Sequence, residues 1–405
     1  MDMSSKKARL PAKRDRRKLQ NPWPGLSCLW LRAQGSSGVG GLLLLGLLWG
    51  CAGLVDIPII FTGTEYAVGK LYLNLARGIS REDLESLDNG DLAPVRARYA
   101  SRSFDALTVD QHRLLCDIHI KYHDTSAAFE CLDKLELRLK KEAANGDLSA
   151  IAGKRALLFL QSGAYKVAAD GSRALSSDGA RYIYALATVH GGQRDEVSRI
   201  AGEFQEWSYY KEPKVAFFAT NLLVALGQYA RALDLLRDPS IGLARDYGLN
   251  RPAVLRADIF DEFNFGLFQF FSYAPSSNVY VEFLLAKTLL ETEQRQDAKR
   301  HFDALISYEH IETYRDIHWM ALYERGRIAE MEGDISGAMD FYKRSIEIIE
   351  TIRSSINTTL GRISYVADKQ VVYGNLIGLL FENHRNAEAI EFTESSRPRA
   401  GRSPE

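Results

Sequence analysis

The chain has 405 residues, 46% hydrophobic and 25% charged, with a formal net charge of −1; this is an ordinary globular mix, long enough to bury a large core. The balance hides an asymmetry, because residues 1–32 hold nine Lys/Arg against two Asp, while everything after Cys51 holds 42 Lys/Arg against 50 Asp/Glu. An acidic body without a basic stripe disfavours nucleic acid as a partner, since neutralising phosphates takes clustered cations, and four cysteines are too few for a disulfide framework.

The head (residues 1–50) reads KKARLPAKRDRRK, then PWPG, then the apolar run GVGGLLLLGLLWGCAG. A positive region, an apolar core and a small residue before a break follow the grammar of an export signal. Leu48, Trp49, Gly50 and Cys51 resemble the lipobox of bacterial lipoproteins, although Trp49 is bulky for its position. That resemblance implies cleavage before Cys51, a lipid on its thiol, and residues 51–66 as a tether in the cell envelope. The rival is an uncleaved anchor, because residues 38–55 carry no charge over 18 positions, just enough to span a bilayer. Flanking positives, Lys13 to Lys18 and Arg32, would keep the N-terminus cytoplasmic in either case. A cytosolic chain with a chance leucine run is the third alternative.

Residues 67–318 show helical periodicity in successive pairs. Cys116 opposes Ala128 in the first clear pair, with Leu132 and Leu135 following. Cys116 and Cys131 would lie on its two helices; we expect two small apolar core residues there, with a disulfide as the alternative. His119 and His123 stand at i, i+4, a metal-ligand spacing. HIKYH lacks the glutamate of the HExxH zinc peptidases, so His119 is expected to pack inward and His123 to sit in the turn, with no metal. Ala156, Gly163, Tyr165, Ala168 and Leu175 mark the next pair, and Gly191-Gly192 the turn of a weaker one. Gly227, Tyr229, Ala232 and Leu236 mark another, ended by Pro239. Residues 259–273, IFDEFNFGLFQFFSY, make an aromatic stripe; packing between irregular repeats is favoured over an exposed partner surface. Ala286, Ala298, Phe302 and Leu305 complete the set.

The cleanest unit is residues 319–353. Leu322, Gly326 and Ala329 share one helix face, Gly333 breaks the pattern, Asp334 offers a cap, and Ala338, Tyr342 and Ser345 repeat the spacing. Short side chains at Gly326 and Ala338 let two antiparallel helices approach closely. This small/large pattern resembles the tetratricopeptide (TPR) repeat, a helix–turn–helix unit of about 34 residues. A lone unit cannot bury its apolar face, so neighbours must stack on it. The resemblance implies an all-α, right-handed solenoid of six or seven helical hairpins, its concave face lined by first helices. Groove positions for a peptide or protein partner would include Asn221, Lys287, Tyr323 and Arg327.

Residues 354–400 read as a last helical pair, followed by the tail 401–405. Ile352-Arg353-Ser354-Ser355, Ala367-Asp368-Lys369 with Tyr373, and Glu394-Ser395-Ser396-Arg397 resemble the segment of bacterial CHAT proteins that precedes their caspase-like peptidase domain. In that family the exit helix runs on into the peptidase; here Pro398 interrupts it. The resemblance therefore implies the sensory half of such a protein, inert alone, and reading the DNA past the stop codon would test that. There is no Gly-rich phosphate loop, GxSxG elbow or paired CxxC, so neither enzyme activity nor a cofactor is expected. A structural role in an envelope assembly is the remaining alternative.

Overall fold

The computed structural model describes residues 78–88, 91–142, 146–208, 213–238 and 276–397. The chain divides into two units, Met1–Phe61 and Thr62–Glu405, and all described residues belong to the second. The export signal, Cys51, the aromatic stretch 259–273 and Pro398 lie outside them.

Among the described residues there are only helices, seventeen of them with two short 3₁₀ turns, and no strand. In chain order they are α1 (Arg81–Asp88), α2 (Ala93–Ala100), α3 (Val109–Lys121), α4 (Thr125–Lys141), α5 (Gly146–Gln161), α6 (Tyr165–Arg173), α7 (Asp178–His190), α8 (Arg194–Ser208) and α9 (Pro213–Ala225). They continue as α10 (Tyr229–Arg237), α11 (Ser276–Glu291), α12 (Arg295–Ile306), α13 (Arg315–Met331), α14 (Ile335–Ser355), α15 (Thr359–Ala367), α16 (Gln370–Glu382) and α17 (Asn386–Ser396). Each helix packs mainly on its chain neighbours, the nearest-neighbour pattern of a solenoid. The fold is an all-α, TPR-like array of helical hairpins.

A single turn geometry repeats through it. Seven hairpins, α3–α4 to α13–α14 and α16–α17, are closed by three-residue turns whose middle residue is left-handed: His123, Gly163, Gly192, Gly227, Glu293, Gly333 and His384. Four of the seven are glycine, the residue for which this conformation has no steric cost. Five positions after each comes a fully buried small residue, Ala128, Ala168, Val197, Ala232, Ala298, Ala338 and Ala389, where the second helix crosses the first. Local caps fix the helix starts: Thr108 and Gln111 form a reciprocal capping box, and the side chains of Asp124, Ser177, Asp334 and Thr358 each accept from a backbone N–H three residues on.

The close approach expected in the cleanest hairpin is present. A Cβ on Gly326 would stand 2.5 Å from the Tyr342 ring, and Tyr342 is fully buried with its hydroxyl donating to Glu330 at 2.8 Å. One expectation needs correction. Cys116 and Cys131 are joined in a disulfide, Cα–Cα 5.4 Å, instead of standing as separate core thiols. The reason is the hairpin crossing itself, which brings these two positions of α3 and α4 face to face. Among the described residues no helix is long and apolar enough to cross a membrane.

Candidate binding face

First helices of successive pairs touch one another, α5 with α7, α7 with α9, α9 with α11 and α11 with α13. Among the described residues the second helices make no contacts of that extent, an arrangement that puts the first helices on the inner side. The side chains pointing from these helices form the candidate face.

The four sequence-predicted positions fall on three first helices. Lys287 of α11 donates to Glu291 (2.8 Å) and to Glu324 of α13 (2.6 Å). Arg327, one turn beyond Glu324, donates to the same two carboxylates, at 2.8 Å to Glu291 and 2.6 Å to Glu324. Burial works against both cations, yet the two glutamates outweigh it and hold Lys287 and Arg327 above their ordinary pKa values. Tyr323, on the same helix, accepts from Asn375 of α16 at 3.4 Å. These three positions thus belong to one half-buried row of two cations, two carboxylates and two neutral polar groups. Asn221 lies apart on α9, donating to the buried Tyr182 hydroxyl of α7 at 2.5 Å. Burial, above all, raises the Tyr182 phenol far above its ordinary value, so it remains a neutral donor and acceptor.

The sequence did not disclose a second cluster, where late hairpins meet early ones. Ser126 Oγ donates to the Ser355 carbonyl (2.6 Å), Ser355 Oγ donates to the His123 carbonyl (2.8 Å), and the Asn357 N–H donates to Ser126 Oγ (3.1 Å). His123 Nε2 lies 3.3 Å from Asp316, and the Tyr165 hydroxyl, whose ring stacks on His190 at 3.8 Å, bonds Asp368. Gly163 fits against the Ser364 backbone, where a Cβ would stand 2.7 Å from its carbonyl oxygen. Next to this seam Lys369 is buried, its ammonium 4.0 Å from the Tyr365 ring centroid and 6.0 Å from that of Trp319. Burial lowers its pKa to about 8 against the opposing pull of Asp368. No sequence signal pairs residues more than two hundred positions apart.

His119 and His123 do not converge on one site. His119 is buried and faces Asp124 at 3.6 Å, while His123 sits in the turn and faces Asp316, the placement that the helical register predicted. A separate surface cavity of about 310 Å³ is lined by Asp83, Arg98, Tyr99 and Arg102, but Asp83 is already engaged by Arg98 (2.6 Å) and Tyr99 (2.7 Å).

No protein-family model matches the sequence, and no curated protein matches it. Solved structures similar to the chain include a monomeric mutant of IFIT1 with Gppp-AAAA, 14% identical, covering 81% of this chain and 76% of that one with a TM-score of 0.21. The human IFIT1 dimer with m7Gppp-AAAA is 13% identical, covering 82% and 77%, also with a TM-score of 0.21. No statement about ligand or assembly follows from likenesses of this size.

Proposed function

We propose that the chain is a non-catalytic scaffold whose inner face holds an extended peptide of a partner protein. The observation that supports this is the row Lys287–Glu291–Glu324–Arg327–Tyr323–Asn375, laid across three first helices and rigidified by its own ion pairs. An extended peptide has one donor and one acceptor per residue, and neutral amides and phenols at fixed spacing suit them. The cations are neutralised from within, which favours backbone recognition over capture of a highly charged ligand. The test is a peptide array probed with wild type, Asn375→Ala, Lys287→Ala and, as an outer-face control, Arg300→Ala, whose side chain is 76% exposed on α12. Retention of particular peptides, lost with the inner-face variants and kept by the control, supports the reading. Retention that all variants share equally refutes it.

The same reading places the scaffold in a bacterial cell envelope, held by a lipid on Cys51, as the sensory half of a CHAT-type protein. Its supports are the basic head, residues 48–51, the wording of residues 352–397, and the Cys116–Cys131 disulfide, which suits an oxidising compartment. Intact mass of the membrane fraction tests the anchor. A species beginning at residue 51 with added acyl mass, absent in Cys51→Ala, is the expected result; an unprocessed soluble chain in both strains overturns it.

A further inference from the structure

The disulfide has a third neighbour. His112 precedes Cys116 by four residues, so both side chains leave α3 on one face, and α4 brings Cys131 against them. The ligating atoms of His112, Cys116 and Cys131 all lie within 4.8 Å of one another, and all three residues are buried. The His112 ring is fully enclosed, with the Phe104 ring edge-on to it at 3.5 Å. Neither of its nitrogens meets a hydrogen-bond partner in good geometry. A buried imidazole without a partner costs stability, and its position against two sulfurs gives it a use.

From this geometry we infer that, when the disulfide is reduced, His112, Cys116 and Cys131 form a soft-metal site suited to Cu(I). Two thiolates and an imidazole select thiophilic d¹⁰ ions. A structural zinc asks for four protein donors, and a zinc held by three, two cysteines and a histidine included, keeps a fourth position open to water; here three donors are assembled and all are buried. The His112 ring is fully buried beside both sulfurs, so a ring nitrogen is placed to offer its lone pair to the metal. The backbone of Cys131 lies close to the ring, ready to accept from whichever nitrogen does not ligate, the usual support of a metal-bound imidazole. Cys131 Sγ is 3.8 Å from the His112 carbonyl, an acceptor for the thiol before metal arrives.

Oxidation state gates the site. A dithiol reductant gives two electrons and two protons to the Cys116–Cys131 bond, becoming a disulfide itself and leaving two thiols. Cu(I) then displaces the two thiol protons and takes the imidazole lone pair. An oxidised dithiol that takes two electrons from the bound sulfurs and two protons from water, becoming a dithiol, would rejoin Cys116 and Cys131, abolish two of the three donors and release Cu(I) unchanged in oxidation state.

The test uses the full chain, reduced with dithiothreitol, desalted without oxygen, and titrated with Cu(I) held by a chromogenic chelator. The expected result is removal of one equivalent by reduced wild type and none by the oxidised protein. Cys116→Ser and Cys131→Ser should lose it, and His112→Gln should weaken it at least about tenfold, with helical circular dichroism retained. Uptake that is the same in the oxidised protein or in the double serine variant overturns the proposal. So does a reduced, folded chain that takes no copper, or a chain whose helical signal collapses on reduction.

Discussion

Lys154 is among the largest fully buried side chains described, and it is charged. Its ammonium, on α5, bonds the Asp117 carboxylate on α3, and both side chains are 2% exposed. The pair joins the first helices of two neighbouring hairpins. Taking two such charges from water costs several kcal/mol each, and their mutual attraction roughly offsets that only while both are present. Lys154→Met keeps the volume but strands the carboxylate, and the expected loss is about 3–5 kcal/mol at neutral pH. Combining Lys154→Met with Asp117→Leu should recover most of the loss, leaving about 1 kcal/mol or less of deficit. Urea titrations of the four proteins close the cycle, and hydrogen exchange should localise the loosening to α3–α6, as expected of a nearest-neighbour array. A single variant costing under about 1 kcal/mol, or a double variant as damaged as the worse single, would show that the pair is not the buried unit described.

Reducing the Cys116–Cys131 bond, which closes a loop with a sequence separation of 15, should cost about 3 kcal/mol on chain-entropy grounds, read as a lower urea midpoint that Cys131→Ser reproduces. Gly326→Val should destabilise by at least about 1–3 kcal/mol through overpacking, because the Tyr342 ring it meets is enclosed and tethered; adding Tyr342→Ala should return part of that loss in a thermal melt. Lys369 gives a pH signature. Its folded pKa of about 8 lies below its ordinary 10.5, so between these values the unfolded chain binds more protons and this residue's contribution to stability rises with pH. The difference in stability between wild type and Lys369→Met should therefore shift in favour of wild type from pH 8 to 10, and a flat difference would contradict the burial that sets it.

The hairpins were legible because they are built from local signals. Gly163, Gly192, Gly227 and Gly333 mark turns that require a left-handed residue, and the buried residues five places on, alanines except for Val197, mark helix crossings. The hairpins turned by His123, Glu293 and His384 were legible from their alanines alone. At the inner face the sequence could nominate Lys287, Tyr323 and Arg327 from repeat register. It could not show that Glu291 and Glu324 already neutralise the two cations, since that depends on the separation of α11 and α13. The Asp117–Lys154 pair and the disulfide were hidden for the same reason. A lysine in an amphipathic helix reads as solvated, and two cysteines in a core read as small apolar residues until their faces are brought together.

The C-terminal wording gains a physical meaning from the seam. Arg353 donates to the Ser395 and Arg397 carbonyls at 3.0 and 3.1 Å, tying the end of α14 to the end of α17. Tyr373 bonds Glu350 one turn earlier on α14. Ser355 and Asp368 reach back to His123 and Tyr165, and Lys369 lies buried behind them. Arg353, Ser355, Asp368, Tyr373, Ser395 and Arg397 all fall within residues 352–397, and each takes part in a hydrogen bond that joins separate elements. The segment thus carries architecture: it ties the late helices to the early ones. The closure bears on how wide the inner face stands. Loosening the seam with Ser355→Ala and Asp368→Asn should therefore change peptide retention on the array without removing any residue of the row on α11, α13 and α16. Retention unchanged in that double variant would separate the seam from the binding face.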